Sequence, residues 1–185
     1  MRSGWGCRFR GVEVRLLGEV AFSSEGVTLP VKGARQRRLL TALALRPGQV
    51  ATADRLAEIV WGERPPGNPA NALQAQVSAL RRVLPEGRLV SRSGGYALEL
   101  DAGATDVGVF EALVGDGRRL LAAGEAGSAA ATFRQALALW GPPLGDLGSG
   151  DGFGAEVAWL EELHLSAVEA RGRPSWRPPG PGPCR

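Results

Sequence analysis

An amphipathic helix followed at once by a glycine-turned hairpin constrains this chain more than any other feature. Four apolar side chains recur at the spacing that gathers them on one face of an α-helix, namely Leu73, Val77, Leu80 and Leu84. Asn68 is a good N-cap, Pro69 suits the first helical turn, and Pro85 predicts the end of the helix. We therefore predict a helix from Asn68 to Leu84 with one face in a hydrophobic core.

The opposite face of this helix suits a negatively charged, hydrogen-bonding surface. It holds amides, a hydroxyl, two guanidiniums and no carboxylate, from Asn71, Gln74, Ala75, Ser78, Arg81 and Arg82. Nucleic acid offers such a surface. An ordinary solvated helix face is the alternative that this composition leaves open.

The residues after the helix predict a β-hairpin. One short apolar run begins at Leu89, a second alternates from Tyr96 to Leu100, and a glycine turn lies between them. Arg88 and Arg92 are expected near the tip of this hairpin. A helix followed by a basic hairpin is the outline of a winged helix, in which the helix enters a DNA major groove about 12 Å wide and the hairpin's arginines meet phosphate.

Charge divides the chain near residue 105. Residues 1–105 carry 15 basic and 9 acidic side chains, a net charge of +6, whereas residues 106–172 carry 4 basic and 10 acidic ones, a net charge of −6. A basic half is the electrostatic footprint of nucleic-acid binding. Phosphate would repel the acidic half, which therefore suits contacts with protein.

The rest of the basic half predicts a small sheet and two more helices. Residues 12–31 alternate apolar and polar side chains across glycine and serine turns, as three short antiparallel strands do. Residues 33–46 predict a helix with three arginines in its first turns, Arg35, Arg37 and Arg38, at the positive end of the helix dipole. A phosphate is one candidate for the compensating anion, and a solvated basic turn is the other explanation. Thr52 is a suitable N-cap for the next helix, at residues 53–61.

The acidic half predicts three helices and a tail. Residues 107–140 form two helices whose large, small and aromatic residues suit a pair of the tetratricopeptide kind. Residues 155–171 predict the third helix. Residues 173–185 are dense in proline and glycine without periodicity, which predicts a disordered tail.

No enzyme motif stands in a suitable context. Residues 150–155 match G-x-G-x-x-A, but a proline-rich loop precedes them where a dinucleotide site needs a strand. His164 has no nucleophile motif beside it, and the adjacent Glu161 and Glu162 predict a solvated helix face. We therefore expect no catalytic residue.

Nothing in the sequence predicts a membrane protein or a metal site. No uncharged apolar run approaches the roughly 18 residues of a membrane-spanning helix, and residues 1–10 lack an apolar signal segment. Cys7 and Cys184 lie near opposite ends without the partners of a zinc site, so we expect neither a disulfide nor a metal. The expectation is a cytoplasmic protein with no cofactor.

Three segments of the basic half together carry a family likeness: VEVRLLGEV, ARQRRLLTALALRPGQVATADRLAEIVWGERPPGNPANALQAQVSALRRVL and LVSRSGGYAL. They resemble the DNA-binding domain, an OmpR-type winged helix-turn-helix, of the Streptomyces antibiotic regulatory protein (SARP) family. The bacterial transcriptional activation domain (BTAD) of that family resembles three later segments: TDVGVFEALVGDGRRLL, ATFRQALALWGPPLGDL and WLEELHLSAVEAR. The resemblance covers roughly residues 12–172. It implies an α+β fold, a winged helix-turn-helix domain followed by an all-α tetratricopeptide-like domain.

Together with the lack of periodicity at both ends of the chain, the resemblance gives four predicted regions, and it implies a function. The regions are a disordered extension at 1–11, the DNA-binding domain at 12–101, a partial activation domain at 105–172 and the tail at 173–185. The implied function is a sequence-specific activator, often of antibiotic and other secondary-metabolite genes, that binds direct repeats of double-stranded DNA in promoters and recruits RNA polymerase. Two copies could meet on adjacent repeats as a homodimer.

The resemblance makes residues 68–84 the recognition helix and places DNA contacts at Gln74, Gln76, Ser78 and Arg81. With the helix face, the hairpin and the first arginine-rich turn, the predicted DNA-binding residues are Asn71, Gln74, Gln76, Ser78, Arg81, Arg82, Arg88, Arg92, Arg35 and Arg37. We expect Arg81 to donate two hydrogen bonds to a guanine and Arg92 to meet phosphate or minor-groove edges.

The chain departs from the family pattern at two places. Ala79 stands where many relatives have a basic side chain, which bears on the target sequence. The activation domain ends after its third helix, so we expect a truncated or frameshifted product or a partner that covers this end. Family-like sequence begins near Val12, where we expect translation to start. A protein-interaction adaptor with a degenerate winged helix is the alternative function, and an enzyme is the least favoured.

Overall fold

The computed structural model describes residues 11–147 and 152–172. These residues form a mixed α/β structure of two small sheets and six α-helices. The elements follow the chain in the order β1 Val12–Arg15, β2 Ala21–Ser24, β3 Val27–Thr28, α1 Ala34–Ala44, β4 Ala51–Thr52, α2 Ala53–Trp61, α3 Pro69–Arg81, β5 Leu89–Arg92, β6 Gly95–Leu98, α4 Asp106–Ala122, α5 Ala126–Leu137 and α6 Gly154–Gly172. Residues 1–10 of the extension predicted at 1–11 lie outside the described residues, as do the tail at 173–185 and both cysteines.

The first sheet is antiparallel in the order β1-β2-β3, which confirms the three strands predicted in residues 12–31. Val14 lies opposite Phe22 in the register, and both side chains are buried. The alternation in the sequence therefore reports which face of this sheet meets the core.

Helices α1, α2 and α3 pack on one another, and two of them begin at their predicted caps. The Thr52 hydroxyl accepts a hydrogen bond from the backbone N–H of Arg55 at 3.3 Å. The Asn68 side chain accepts one from the backbone N–H of Asn71 at 3.1 Å. Each bond satisfies one of the donors that a helix start leaves without an intrahelical partner.

Helix α3 ends at Arg81, so the prediction that it runs to Leu84 was wrong by three residues. The backbone N–H groups of Val83 and Leu84 both donate to the Leu80 carbonyl, at 3.0 and 2.9 Å, which tightens the chain into a turn. Pro85 explains why the helix ends before Leu84, because a proline disfavours the helical conformation in the residue that precedes it. Leu84 is still buried, and its apolar spacing therefore extends beyond the helix.

The hairpin belongs to a three-stranded sheet of order β4-β6-β5, and the sequence predicted only two of these strands. Ala51 of β4 lies opposite Tyr96. Strand β4 has two residues, which is too short to show an alternating pattern. Strand β6 ends at Leu98, so Leu100, predicted to be part of it, lies outside.

The three helices predicted in the acidic half are present as α4, α5 and α6. Gly117 of α4 faces the ring of Phe133 on α5, and both residues are buried. The Trp140 ring lies 5.4 Å from Phe110 and stacks at 4.2 Å on the ring of His164. His164 is thus a partly buried packing residue of this aromatic cluster.

The two halves of the chain share one buried core, and a carboxylate joins them. Asp106, the first residue of α4, accepts hydrogen bonds from the backbone N–H groups of Leu16 at 2.8 Å, Leu17 at 2.9 Å and Val107 at 2.9 Å. Burial raises the pKa of the Asp106 carboxyl, and its three backbone donors oppose that shift. The predicted boundary between domains falls in the connection from β6 to α4, directly before this residue.

We predict that Asp106→Asn lowers the free energy of unfolding by about 1–3 kcal/mol, because an amide cannot accept from all three backbone donors and would leave one of them buried without a partner. Urea denaturation of the full chain measures the change. The control is Glu111→Gln, an exposed position on the same helix, which should leave the midpoint unchanged. An unchanged midpoint for Asp106→Asn would contradict the prediction that a carboxylate is needed to accept these three hydrogen bonds.

Candidate nucleic-acid interface

One exposed face of α3 presents the polar stripe that the sequence predicted. Asn71, Gln74 and Ser78 are exposed on the helix, and Arg82 continues the stripe at its C-terminal cap. Gln76 is half-buried at the edge of this face, and so is Ala79. No acidic residue occurs in α3, so the stripe combines hydrogen-bonding groups with positive charge.

Arg81 lies beside this stripe and is directed at the hairpin. Its Nε donates a hydrogen bond to the Leu89 carbonyl at 2.9 Å, and its Nη2 donates one to the Ser91 hydroxyl at 2.9 Å. The predicted guanine contact would have to compete with these two bonds within the protein.

The hairpin arginines have acidic partners in the chain. Arg92, close to the tip, forms a salt bridge with Glu99 at 3.1 Å, and both side chains are about half exposed. Arg88 precedes β5 and therefore lies at the base of the hairpin, although it was predicted near the tip. It pairs with Asp101 at 2.9 Å and is mostly covered. Of the two, only Arg92 lies where a hairpin tip would approach DNA.

An arginine at the start of α1 has a partner in the acidic half. Arg37 pairs with Asp146 at 3.2 Å, so a carboxylate of the acidic half supplies an anion where phosphate was one candidate. Gly33 precedes the helix without a side-chain cap, and the first turn has no acidic residue, so this partner offsets an unfavourable charge at the helix start. Arg35 is exposed.

Two further arginines, which the sequence did not single out, also bind the acidic half. Arg55 of α2 donates to Glu156 at 2.8 Å and to the Gly152 carbonyl at 3.0 Å. The hydrogen bond to Glu156 raises the pKa of Arg55 further. The guanidinium of Arg46 lies 4.0 Å from the centre of the Trp159 ring. The opposite charges of the two halves are the sequence signal for these contacts, but they do not specify the partners.

Potential metal ligands do not cluster in the described residues. No group of three or more potential metal ligands occurs among them. Within the same ranges, no helix is both long enough and apolar enough to cross a membrane. Glu161 and Glu162 are exposed on α6, as the solvated face predicted.

We predict that Gly95→Ala detaches β4 from the hairpin, because a Cβ at Gly95 would lie 2.0 Å from the Ala51 carbonyl oxygen. A backbone atom yields only with a shift of the strand, so the free energy of unfolding should fall by at least about 1–3 kcal/mol. Thermal unfolding measures this loss. The control is Gly115→Ala in α4, where a Cβ meets open space and alanine should be neutral or stabilising by about 0.5–1 kcal/mol. A Gly95→Ala protein as stable as the control would contradict the observed close approach.

Two domain families match consecutive parts of the chain. Residues 30–98 match the family described as transcriptional regulatory protein, C terminal. Residues 105–177 match the bacterial transcriptional activator domain. The first match contains α1 to β6, and the second contains α4 to α6.

Several curated regulators of Streptomyces are similar to this chain. The regulatory protein DnrI of Streptomyces peucetius is 34% identical over 172 residues, which cover 86% of this chain and 63% of DnrI. The transcriptional regulator RedD of Streptomyces coelicolor is 35% identical over 167 residues, which cover 85% of this chain and 47% of RedD. The regulatory protein AfsR of the same species is 41% identical over 126 residues, 68% of this chain and 13% of AfsR. The chain spans less than two thirds of each of these relatives.

A solved structure has a similar arrangement. The structure of Mycobacterium tuberculosis EmbR in complex with low affinity phosphopeptide matches with a TM-score of 0.80 at 26% identity, over 88% of this chain and 45% of that chain. A match of this extent includes residues of both the basic and the acidic half.

Proposed function

We infer that this chain, which belongs to the Streptomyces antibiotic regulatory protein family, is a sequence-specific DNA-binding transcriptional regulator. The carboxylate-free stripe of Asn71, Gln74, Ser78 and Arg82 on the exposed face of α3 carries this proposal. Amides and hydroxyls read the edges of bases in the major groove, and a guanidinium binds either a base or phosphate. Arg92 at the hairpin supplies the second contact, to the DNA backbone.

The proposal extends to activation. We propose an activator of secondary-metabolite genes, including those for antibiotics, that binds direct repeats in promoters and recruits RNA polymerase through its acidic half. Helices α4, α5 and α6 are proposed to pack as tetratricopeptide-like pairs, with the DNA-binding domain at 12–101 and the activation domain at 105–172. Promoter DNA and polymerase lie in the bacterial cytoplasm, where this chain is proposed to act, and a homodimer on adjacent repeats is part of the proposal.

A protein-interaction adaptor is the second candidate. The internal partners of Arg81, Arg88 and Arg92 favour it, because each guanidinium is already engaged within the chain. The two functions differ in one measurement. A DNA-binding winged helix should bind random-sequence duplex with an affinity that falls steeply with salt, whereas an adaptor should not bind duplex at all.

We predict different losses for a base-reading residue and a phosphate-binding residue. Gln74→Ala should weaken binding to a cognate duplex about tenfold more than to a scrambled duplex, since a good base contact contributes about 1–3 kcal/mol of discrimination. Arg92→Ala should weaken binding to both duplexes equally and lower the slope of log K against log salt by about 0.9. Binding isotherms over a salt series, on a site found by genomic footprinting, measure both effects.

The matched controls for this experiment lie on α5. Gln135→Ala and Arg134→Ala remove the same side chains from exposed positions in the acidic half and should leave both affinities unchanged. Equal losses on both duplexes for Gln74→Ala would contradict its role in reading bases. No affinity of the unsubstituted chain for any duplex at low salt would overturn the proposed function in favour of the adaptor.

We predict that activation depends on exposed carboxylates of α6. Replacing Glu161 and Glu162 together by lysine should leave promoter occupancy nearly unchanged and strongly reduce transcription, because it reverses the charge of a surface proposed to contact polymerase. A reporter strain and a parallel footprint measure the two effects separately. Glu25→Lys, at an exposed carboxylate in the turn between β2 and β3, is the control. Unchanged transcription in the double variant would place the polymerase contact elsewhere.

A further inference from the structure

The side chain of Arg81 connects the last turn of α3 to the first strand of the hairpin. Its two hydrogen bonds reach acceptors two residues apart on β5, the Leu89 carbonyl and the Ser91 hydroxyl, each at 2.9 Å. Leu89 is buried at the base of the hairpin, whereas Ser91 lies in its exposed outer part. One planar group is thus bonded along the length of the strand.

We propose that Arg81 is a positioning residue that fixes the angle between helix α3 and the hairpin in the free protein, before DNA binds. This inference deepens the proposed function and rests on it, because it concerns the relative orientation of two elements that are proposed to contact DNA. Two bonds from one rigid guanidinium determine an orientation as well as a distance, which a single flexible ammonium would not do.

Part of the connection between the two elements is exposed. Residues 82–88 connect α3 to β5 and include the exposed Pro85, Glu86 and Gly87, the last with a φ of 76°. The outer part of the hairpin, from Ser91 to Gly94, is exposed. The guanidinium of Arg81, the short pairing with β4 and the hydrogen bond from the Ala53 N–H to the Gly94 carbonyl at 3.2 Å connect this outer part to the domain.

A fixed hairpin favours binding because the stripe on α3 and Arg92 must meet the same duplex together. Order that already exists in the free protein is not lost again on binding, so it raises affinity without adding a contact. Arg82 is better placed to touch DNA than Arg81. It is exposed on the stripe, and its side chain forms no hydrogen bond or ion pair with any residue in the described ranges.

The first test uses hydrogen exchange of the backbone amides from Val90 to Tyr96 in the full chain without DNA. Arg81→Ala and Arg81→Lys should each speed this exchange about tenfold, the effect of losing hydrogen bonds of ordinary net strength, and Ser91→Ala about threefold. The global unfolding midpoint should change little. Arg82→Ala is the matched control and should leave the exchange unchanged.

The second test uses DNA affinity. Arg81→Ala should weaken binding to cognate and scrambled duplexes by the same factor, about three- to tenfold, and keep the preference for bases. The double variant of Arg81→Ala and Ser91→Ala should be no weaker than Arg81→Ala alone, because both changes disrupt the same connection.

The outcomes separate the two proposals. Unchanged hairpin exchange in Arg81→Ala would overturn the positioning role, and a selective loss on the cognate duplex would then make Arg81 a base-reading residue. If Arg81→Ala unfolds the chain, Ser91→Ala decides, since it leaves α3 intact, and unchanged exchange there overturns the proposal. An unsubstituted chain that binds no DNA would refute the proposed function while the exchange result stands.

Discussion

The buried carboxylate of Asp106 is the interaction on which the rest of this structure depends. It accepts hydrogen bonds from the backbone N–H groups of Leu16 and Leu17, the two residues that follow β1. It also lies in the first turn of α4, where the helix dipole favours negative charge. Buried backbone donors need acceptors, so the path of the chain after β1 is determined by a residue that follows about 90 positions later. The Leu16 carbonyl then accepts from the N–H of Leu144, which connects the same segment to the loop after α5.

This arrangement changes the meaning of the opposite charges of the two halves. Arg37, Arg46 and Arg55 belong to the basic half, and each contacts the acidic half through a carboxylate or an aromatic ring. Part of the asymmetry is therefore complementarity within one molecule. Exposed ion pairs contribute little free energy individually, so their main effect is on the orientation of the halves, whereas the buried core supplies most of the stability.

Local physical chemistry made several elements predictable, and long-range contacts explain the rest. Caps at Thr52 and Asn68 and the apolar spacing of α3 are properties of neighbouring residues, and the structure contains them. Strand β4 exists because Gly95 lets two backbones approach closely, and no periodicity of two residues could indicate it. The predicted contact residues were chosen by residue type and helix face. Neither criterion shows that the guanidinium of Arg81 has hydrogen-bond acceptors on β5.

The shared core also determines how the two proposed activities are best tested separately. A chain cut before Asp106 would lose the acceptor of two buried backbone N–H groups and the carboxylates that pair with Arg37 and Arg55. If such a fragment did not bind DNA, the loss of these contacts would explain it, so the result would not show what the acidic half contributes to activation. The contacts between the halves named above come from the chain after β1, from α1 and the turn after it, and from α2, and none of them involves α3 or the hairpin. Surface substitutions in the intact chain therefore test the proposed DNA binding and the proposed activation separately, whereas truncation does not.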